Sequence, residues 1–240
     1  MYSFDSRIRF SETDPTGHLS VVALINYLQD CAVFHSESVG SGWRQLQKRG
    51  LAWVIMTWQI HVDELPQLGD EIRVSTWAYG MTGHSAKRDV LIASPDGSRT
   101  FVRATSLWSM YSSIEDMAVR VPPEEAERFA GDERALDLPR VKTSIRVKDE
   151  GTAAPQVVVS GALLDTNLHV NNAQYVQLAI DALEREVDAA RIDVRYRVPA
   201  VLGDVICPQV HETPEGTVVE LRCAEGGLYA IVRLVPRDEQ

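Results

Sequence analysis

The chain has 240 residues, 45% of them hydrophobic and 24% charged, and its formal net charge is −10. That acidic balance excludes the basic footprint of a nucleic-acid binder, and no stretch approaches 18 uncharged apolar residues, so none reads as a membrane-spanning helix. MYSFDSRIRF lacks a basic segment followed by an apolar one, so the expectation is a cytoplasmic protein without a secretory signal.

In chain order, the strand-like SRIRFSE leads into DPTGH, Asp14 to His18. A helix-like run, VVALINYLQDCAVFHSESV, follows; Leu24, Leu28, Cys31 and His35 recur along it at helical spacing. WVIMTWQIHVDELPQLGDEIRVSTW then alternates through the Gly-Asp turn of Leu68–Ile72, a strand–turn–strand signal. SAKRDVLIAS and RTFVRATSLWSMYS are further strands, joined through the turn-forming SPDGS. MAVRVPPEEAERFAGDERALDLPR, rich in proline and charge, reads as a surface linker with a short helix.

The same order then repeats. QVVVSGALL, a strand-like segment, precedes DTNLH, Asp165 to His169, and NAQYVQLAIDALEREV follows as a helix. IDVRYRVPAVLGDVICPQV carries a second Gly-Asp turn at Leu202–Ile206, and TVVELRCA and LYAIVRLV close the chain as strands. The interval between the two Asp residues equals that between the two His residues. Two such copies, without regular βαβ alternation, imply two like α+β units. We place them at 1–120 and 140–240, with 121–139 as the linker.

Asp165, Asn167 and His169 are the candidate catalytic residues. Asn167 and His169 lie two apart, so in an extended loop they could face the same way. The loop opens a helix whose first N–H groups lack partners and carry positive dipole. Such a loop offers a base for water, worth typically ~10²–10⁴ in rate, and donors for a developing oxyanion. Asp14 and His18 are read instead as cap and turn residues. Asn171 is placed beside the site as a substrate-binding residue, with hydrogen bonding at the helix entry as its competing role; Tyr175 is read as packing. No metal is expected, because the His residues form no ligand cluster. Cys31, Cys207 and Cys223, odd in number and far apart, suit reduced thiols rather than a disulfide framework.

LLDTNLHVNNAQYV resembles the D-x-N-x-H-x-N-N-x-x-Y signature in the second half of the bacterial and plant acyl-ACP thioesterases. INYLQDCA, the WVIMTWQIHVDELPQLGDEIRVSTW stretch, KRDVLI and RATSLWSMYS match that family in order and spacing. The resemblance implies two tandem hotdog units, each a long helix wrapped by a curved antiparallel sheet. It also implies hydrolysis of fatty acyl-ACP in fatty acid biosynthesis, with no cofactor. Unit one would bind the acyl chain and unit two would carry Asp165, Asn167 and His169. Trp43, Trp53, Met56 and Trp58 are candidates to line an apolar tunnel, though each singly also reads as core. One departure matters: where the family has a carboxylate, and in plants a Cys after it, this chain has Pro199 and Ala200.

The implied carrier is acidic, so its docking face should be basic. Lys142 and Arg146 alternate with Thr143, Ile145 and Val147, as Arg195 and Arg197 do with Val194, Tyr196 and Val198; on strands each set shares one face. A homodimer is expected on fold analogy alone. Competing readings are an acyl-CoA thioesterase, a hydratase or dehydratase of the same fold, and an acyl-thioester binder without turnover.

Overall fold

The alternating runs, Gly-Asp turns and helical stretches take shape in a computed structural model, which describes residues 1–130, 136–138, 144–183 and 185–237. The chain divides into two compact units, Met1–Val141 and Lys142–Gln240.

Unit 1 contains β1 (Tyr2–Arg7), α1 (Val21–Ser38), α2 (Trp43–Gln47), β2 (Leu51–Val62), β3 (Glu71–Thr82), β4 (Ser85–Ala93), β5 (Thr100–Ser112), β6 (Met117–Ala118) and α3 (Pro123–Arg128). Its strands are ordered β1-β3-β4-β5-β2, every pair antiparallel, with β6 on β5. The Ser20 side chain accepts from the Ala23 N–H and starts α1. The helix then buries Leu24, Leu28, Cys31 and His35 and packs against β1 and β3, where Ile72 and Val74 are fully buried. Each buried Leu is worth about 1.5–3 kcal/mol, which is why this stripe holds the helix to the sheet.

Unit 2 repeats the plan with β7 (Thr152–Ala153), β8 (Val157–Val158), α4 (Asn172–Asp181), β9 (Ala189–Tyr196), β10 (Val205–Thr213), β11 (Gly216–Cys223) and β12 (Leu228–Pro236). Its order is β9-β12-β11-β10-β7, again antiparallel, with β8 on β10. Helix α4 packs against β11 and β12. Each unit is a hotdog: one helix lying on an antiparallel sheet.

Several expected elements change. The helix expected over 172–187 ends at Asp181, where its last turn tightens through Leu183 N–H to the Ile180 carbonyl. Beyond it the sequence offers charge rather than an apolar stripe, and Arg185 turns to Glu212 and Thr217. QVVVSGALL forms only the two-residue β8 before a 3-10 turn at Gly161–Leu163. The alternating stretch at 142–148 is no strand over its described part, 144–148: the exposures alternate, but among the described residues no neighbouring strand pairs with it. Nor is the start of the supposed linker a free surface connection. Glu125 of α3 is fully buried, accepting from Ser41 and pairing with Arg49, and Phe129 is buried against His35.

Candidate active site

The loop that follows the 3-10 turn of unit 2 is closed by its own backbone. Asp165 N–H donates to the His169 carbonyl at 2.8 Å, and Leu168 N–H to the Asp165 carbonyl at 3.1 Å. Asp165 Oδ1 accepts from the N–H groups of Asn167 (2.8 Å) and His169 (3.4 Å), an Asx turn made by a carboxylate. The loop is anchored on one side by Asn171 N–H to the Leu163 carbonyl, and on the other by Val170 N–H to the Ala200 carbonyl. His169 itself bridges to Val201. Asp165 and His169 are half-buried and Asn167 is exposed, so the three candidate residues lie together at one accessible edge.

Unit 1 holds the same backbone around Asp14 and His18. Asp14 N–H donates to the His18 carbonyl, Leu19 N–H to the Pro66 carbonyl, and His18 bridges to Gln67. The side chains differ. In unit 1, Gln67 Nε2 lies 3.2 Å from His18 Nε2, His18 Nδ1 lies 2.9 Å from Thr16 Oγ1, and the Thr16 hydroxyl donates to Asp14. One consistent assignment runs Gln67 to His18 to Thr16 to Asp14, with both imidazole nitrogens engaged. In unit 2, Asn167 stands for Thr16 and Val201 for Gln67. Among the described residues the His169 ring then has no hydrogen-bond partner.

The electrostatics follow. Burial raises the Asp14 carboxyl, but hydrogen bonds from Thr16 and His18 outweigh it and hold the group below the usual carboxylate range. The Asn167 side-chain amide meets Asp165 Oδ2 only at 3.4 Å, a long contact that is readily exchanged for a ligand oxygen.

The helix-entry amides expected to be unpaired are not. Val170 and Asn171 donate to the carbonyls noted above, and Ala173 N–H donates to Asn171 Oδ1 at 2.8 Å. Asn171 is thus the N-cap of α4, and Asn167 is the donor of the loop that faces outward. The stretch after β9 also resolves. Ala200 is fully buried and its N–H donates to the Tyr175 hydroxyl at 2.8 Å. Asp204 Oδ2 accepts from Val201 N–H and the Tyr229 hydroxyl, as Asp70 accepts from Gln67 N–H in unit 1. Asp204 is therefore committed to its turn and does not stand in for a carboxylate at Pro199. The Tyr175 hydroxyl bond was not legible in the sequence, because its partner is a backbone N–H in another loop.

The remaining candidates are scattered in exposure. Trp58 is fully buried, Trp53 is half-buried against Phe129, Met56 is half-buried at a bulge of β2, and Trp43 is 45% exposed. Arg195 lies on β9 and Arg197 just past its end, the first half-buried and the second exposed, and neither has an ion-pair partner among the described residues. Burial, then Arg197, pushes Arg195 below its usual value. Arg146 is exposed; Lys142 lies outside the described residues. A cleft of about 850 Å³ beside Arg146, Lys148, Glu220 and Arg222 is lined by none of Asp165, Asn167 and His169. Among the described residues no three His, Cys, Asp or Glu side chains are arranged to hold a metal.

The family described as acyl-ACP thioesterase N-terminal domain matches residues 1–129, and acyl-ACP thioesterase C-terminal domain matches residues 149–230. A dodecanoyl-[acyl-carrier-protein] hydrolase of Cinnamomum camphora is 30% identical over 223 residues, covering 83% of this chain and 56% of that protein. A palmitoyl-acyl carrier protein thioesterase of Gossypium hirsutum is 28% identical over 190 residues, covering 73% and 45%. The chain spans about half the length of these relatives. Among solved structures, an acyl-ACP thioesterase from Bacteroides thetaiotaomicron matches with a TM-score of 0.86 at 20% identity, and a 12:0-ACP thioesterase from Umbellularia californica with 0.84 at 21%. Each covers 98% of this chain and 97% of its own, and at such identity the likeness is one of fold.

Proposed function

The chain belongs to the acyl-ACP thioesterase family, and we propose that its second unit hydrolyses the thioester of a fatty acyl chain borne on acyl carrier protein, releasing free fatty acid in fatty acid biosynthesis. One observation carries this reading: the His169 imidazole has no hydrogen-bond partner among the described residues, whereas both nitrogens of its counterpart His18 are engaged. A ring without partners can take a proton from water; a ring held on both sides cannot without breaking a bond.

The chemistry follows from the loop. His169 accepts a proton from water as the water oxygen bonds to the carbonyl carbon. Asn167 Nδ2 donates to the carbonyl oxygen as it gains charge. When the carbon–sulfur bond breaks, the imidazolium returns the proton to the leaving thiolate, giving a carboxylic acid and a free thiol. Asp165, whose Oδ1 already accepts two backbone N–H groups, holds the loop in shape. The carrier, as an acidic protein, docks on the Arg195 and Arg197 face.

Thiol release from acyl-ACP and acyl-CoA of several chain lengths tests the reading. His169→Ala should lower kcat about 10²–10⁴-fold and Asn167→Ala about 10²–10³-fold. Unchanged turnover in both would refute the site, and equal turnover of acyl-CoA would replace the carrier. A second reading, an acyl-thioester binder, is favoured by Pro199, which can neither accept a proton nor donate a backbone hydrogen bond. It expects tight acyl-ACP binding with no thiol released.

A further inference from the structure

We propose that Tyr175 is a positioning residue of this site: its hydroxyl clamps the N–H of Ala200 and thereby fixes the segment to which the His169 loop is bridged. The inference rests on the reading of the Asp165–His169 loop given above. Tyr175 lies on the buried face of α4, only 3% exposed, with its ring tilted against Tyr196 at 5.9 Å. A hydroxyl so buried is costly unless bonded, and its bond is the 2.8 Å contact from Ala200 N–H. Ala200 in turn gives its carbonyl to Val170 N–H at 2.9 Å, and the next residue, Val201, bridges to His169. One hydroxyl therefore reaches both residues at the end of the catalytic loop through a single peptide segment.

The internal repeat supplies the control. Leu24 occupies the Tyr175 position in α1, and Pro66 occupies the Ala200 position. Leu24 has no hydroxyl and Pro66 no N–H, yet the equivalent backbone bond, Leu19 N–H to the Pro66 carbonyl, forms at 2.8 Å. The fold thus closes without the clamp. The unit that lacks it fixes its imidazole by side chains, through Thr16 and Gln67. The unit that has it has lost both of those partners, so among the described residues its imidazole is held only through backbone. Burial also pushes the Tyr175 hydroxyl up to about 12, which keeps it neutral at any working pH.

Tyr175→Phe removes the hydroxyl and keeps the ring. Its kcat for thiol release from an acyl thioester should fall about 10- to 100-fold, the scale of a small misplacement, with KM within about threefold. Adding Ala200→Pro removes the other half of the same bond, so the double variant should lose little more than the single. A kcat within twofold of wild type, or losses that multiply, would overturn the proposal. Should Tyr175→Phe fail to fold, Tyr175→Leu with Ala200→Pro imports the unit 1 pair and must show the same kcat loss; retained kcat there overturns it. A wild type that turns over no thioester would sink the thioesterase reading instead. The clamp is then judged by NMR exchange of the Ala200 and Val170 amides in Tyr175→Phe: about tenfold faster exchange supports it, and unchanged exchange overturns it.

Discussion

Leu168 stands in the left-handed region, at φ 61, where the sister loop has Gly17 at φ 83. An L side chain there costs about 1–2 kcal/mol, and Leu168 recovers little by burial, being 70% exposed. Gly in its place would add about 0.5–1 kcal/mol of chain entropy to lose on folding. Leu168→Gly should therefore raise the unfolding free energy by about 0.5 kcal/mol in urea titration, and a loss above about 1 kcal/mol would show that the side chain packs. Asp14 gives a second expectation at this scale. A carboxyl lowered by the fold contributes stability in full above its unfolded value near 4, and that stability is lost as pH falls through the folded value. The stability gap between wild type and Asp14→Asn should thus be full at pH 6 and shrink below about pH 4. A gap constant from pH 6 to pH 3 would contradict it.

The elements were legible wherever local pattern and burial agreed. The α1 stripe of Leu24, Leu28, Cys31 and His35 is buried as its spacing requires, and the Gly-Asp turns sit between β2 and β3 and between β9 and β10. Pattern failed where it had no partner: among the described residues the alternation at 144–148 meets no neighbouring strand, and the expected second helix ends at Asp181, before its charged end. The short helix α3 shows the opposite case, a charged segment drawn inward by a specific bond. Its Glu125 is fully buried on the Ser41 hydroxyl and Arg49. Hydrogen bonds to charged groups are worth about 1.5–3 kcal/mol. Glu125→Ala should lower the unfolding free energy by about 2–3 kcal/mol in urea titration, since Arg49 can still reach water. A change below about 0.5 kcal/mol would mean the bond adds nothing to the fold.

At the scale of the molecule, a net charge of −10 repels an acidic carrier, so docking of the proposed carrier would depend on local cations such as Arg195 and Arg197. Reversing both to Glu should raise KM for an acyl-carrier substrate several-fold more than for a small acyl thioester, and added salt should narrow the difference. Equal effects on both substrates would sink that docking face. The sequence by itself determined the two like α+β units and the two Asp-to-His loops, while their hotdog identity came from the family resemblance of DTNLHVNN. Each of these is written in residues a few positions apart, where Asx turns, helix caps and side-chain periodicity act. Only the tertiary structure decided which loop has an imidazole without partners among the described residues. The answer depends on Gln67, 49 residues from His18, being Val201 in the second unit. The hydroxyl on α4 that meets an N–H 25 residues away is likewise a tertiary feature, and such contacts arise from packing that no local pattern encodes.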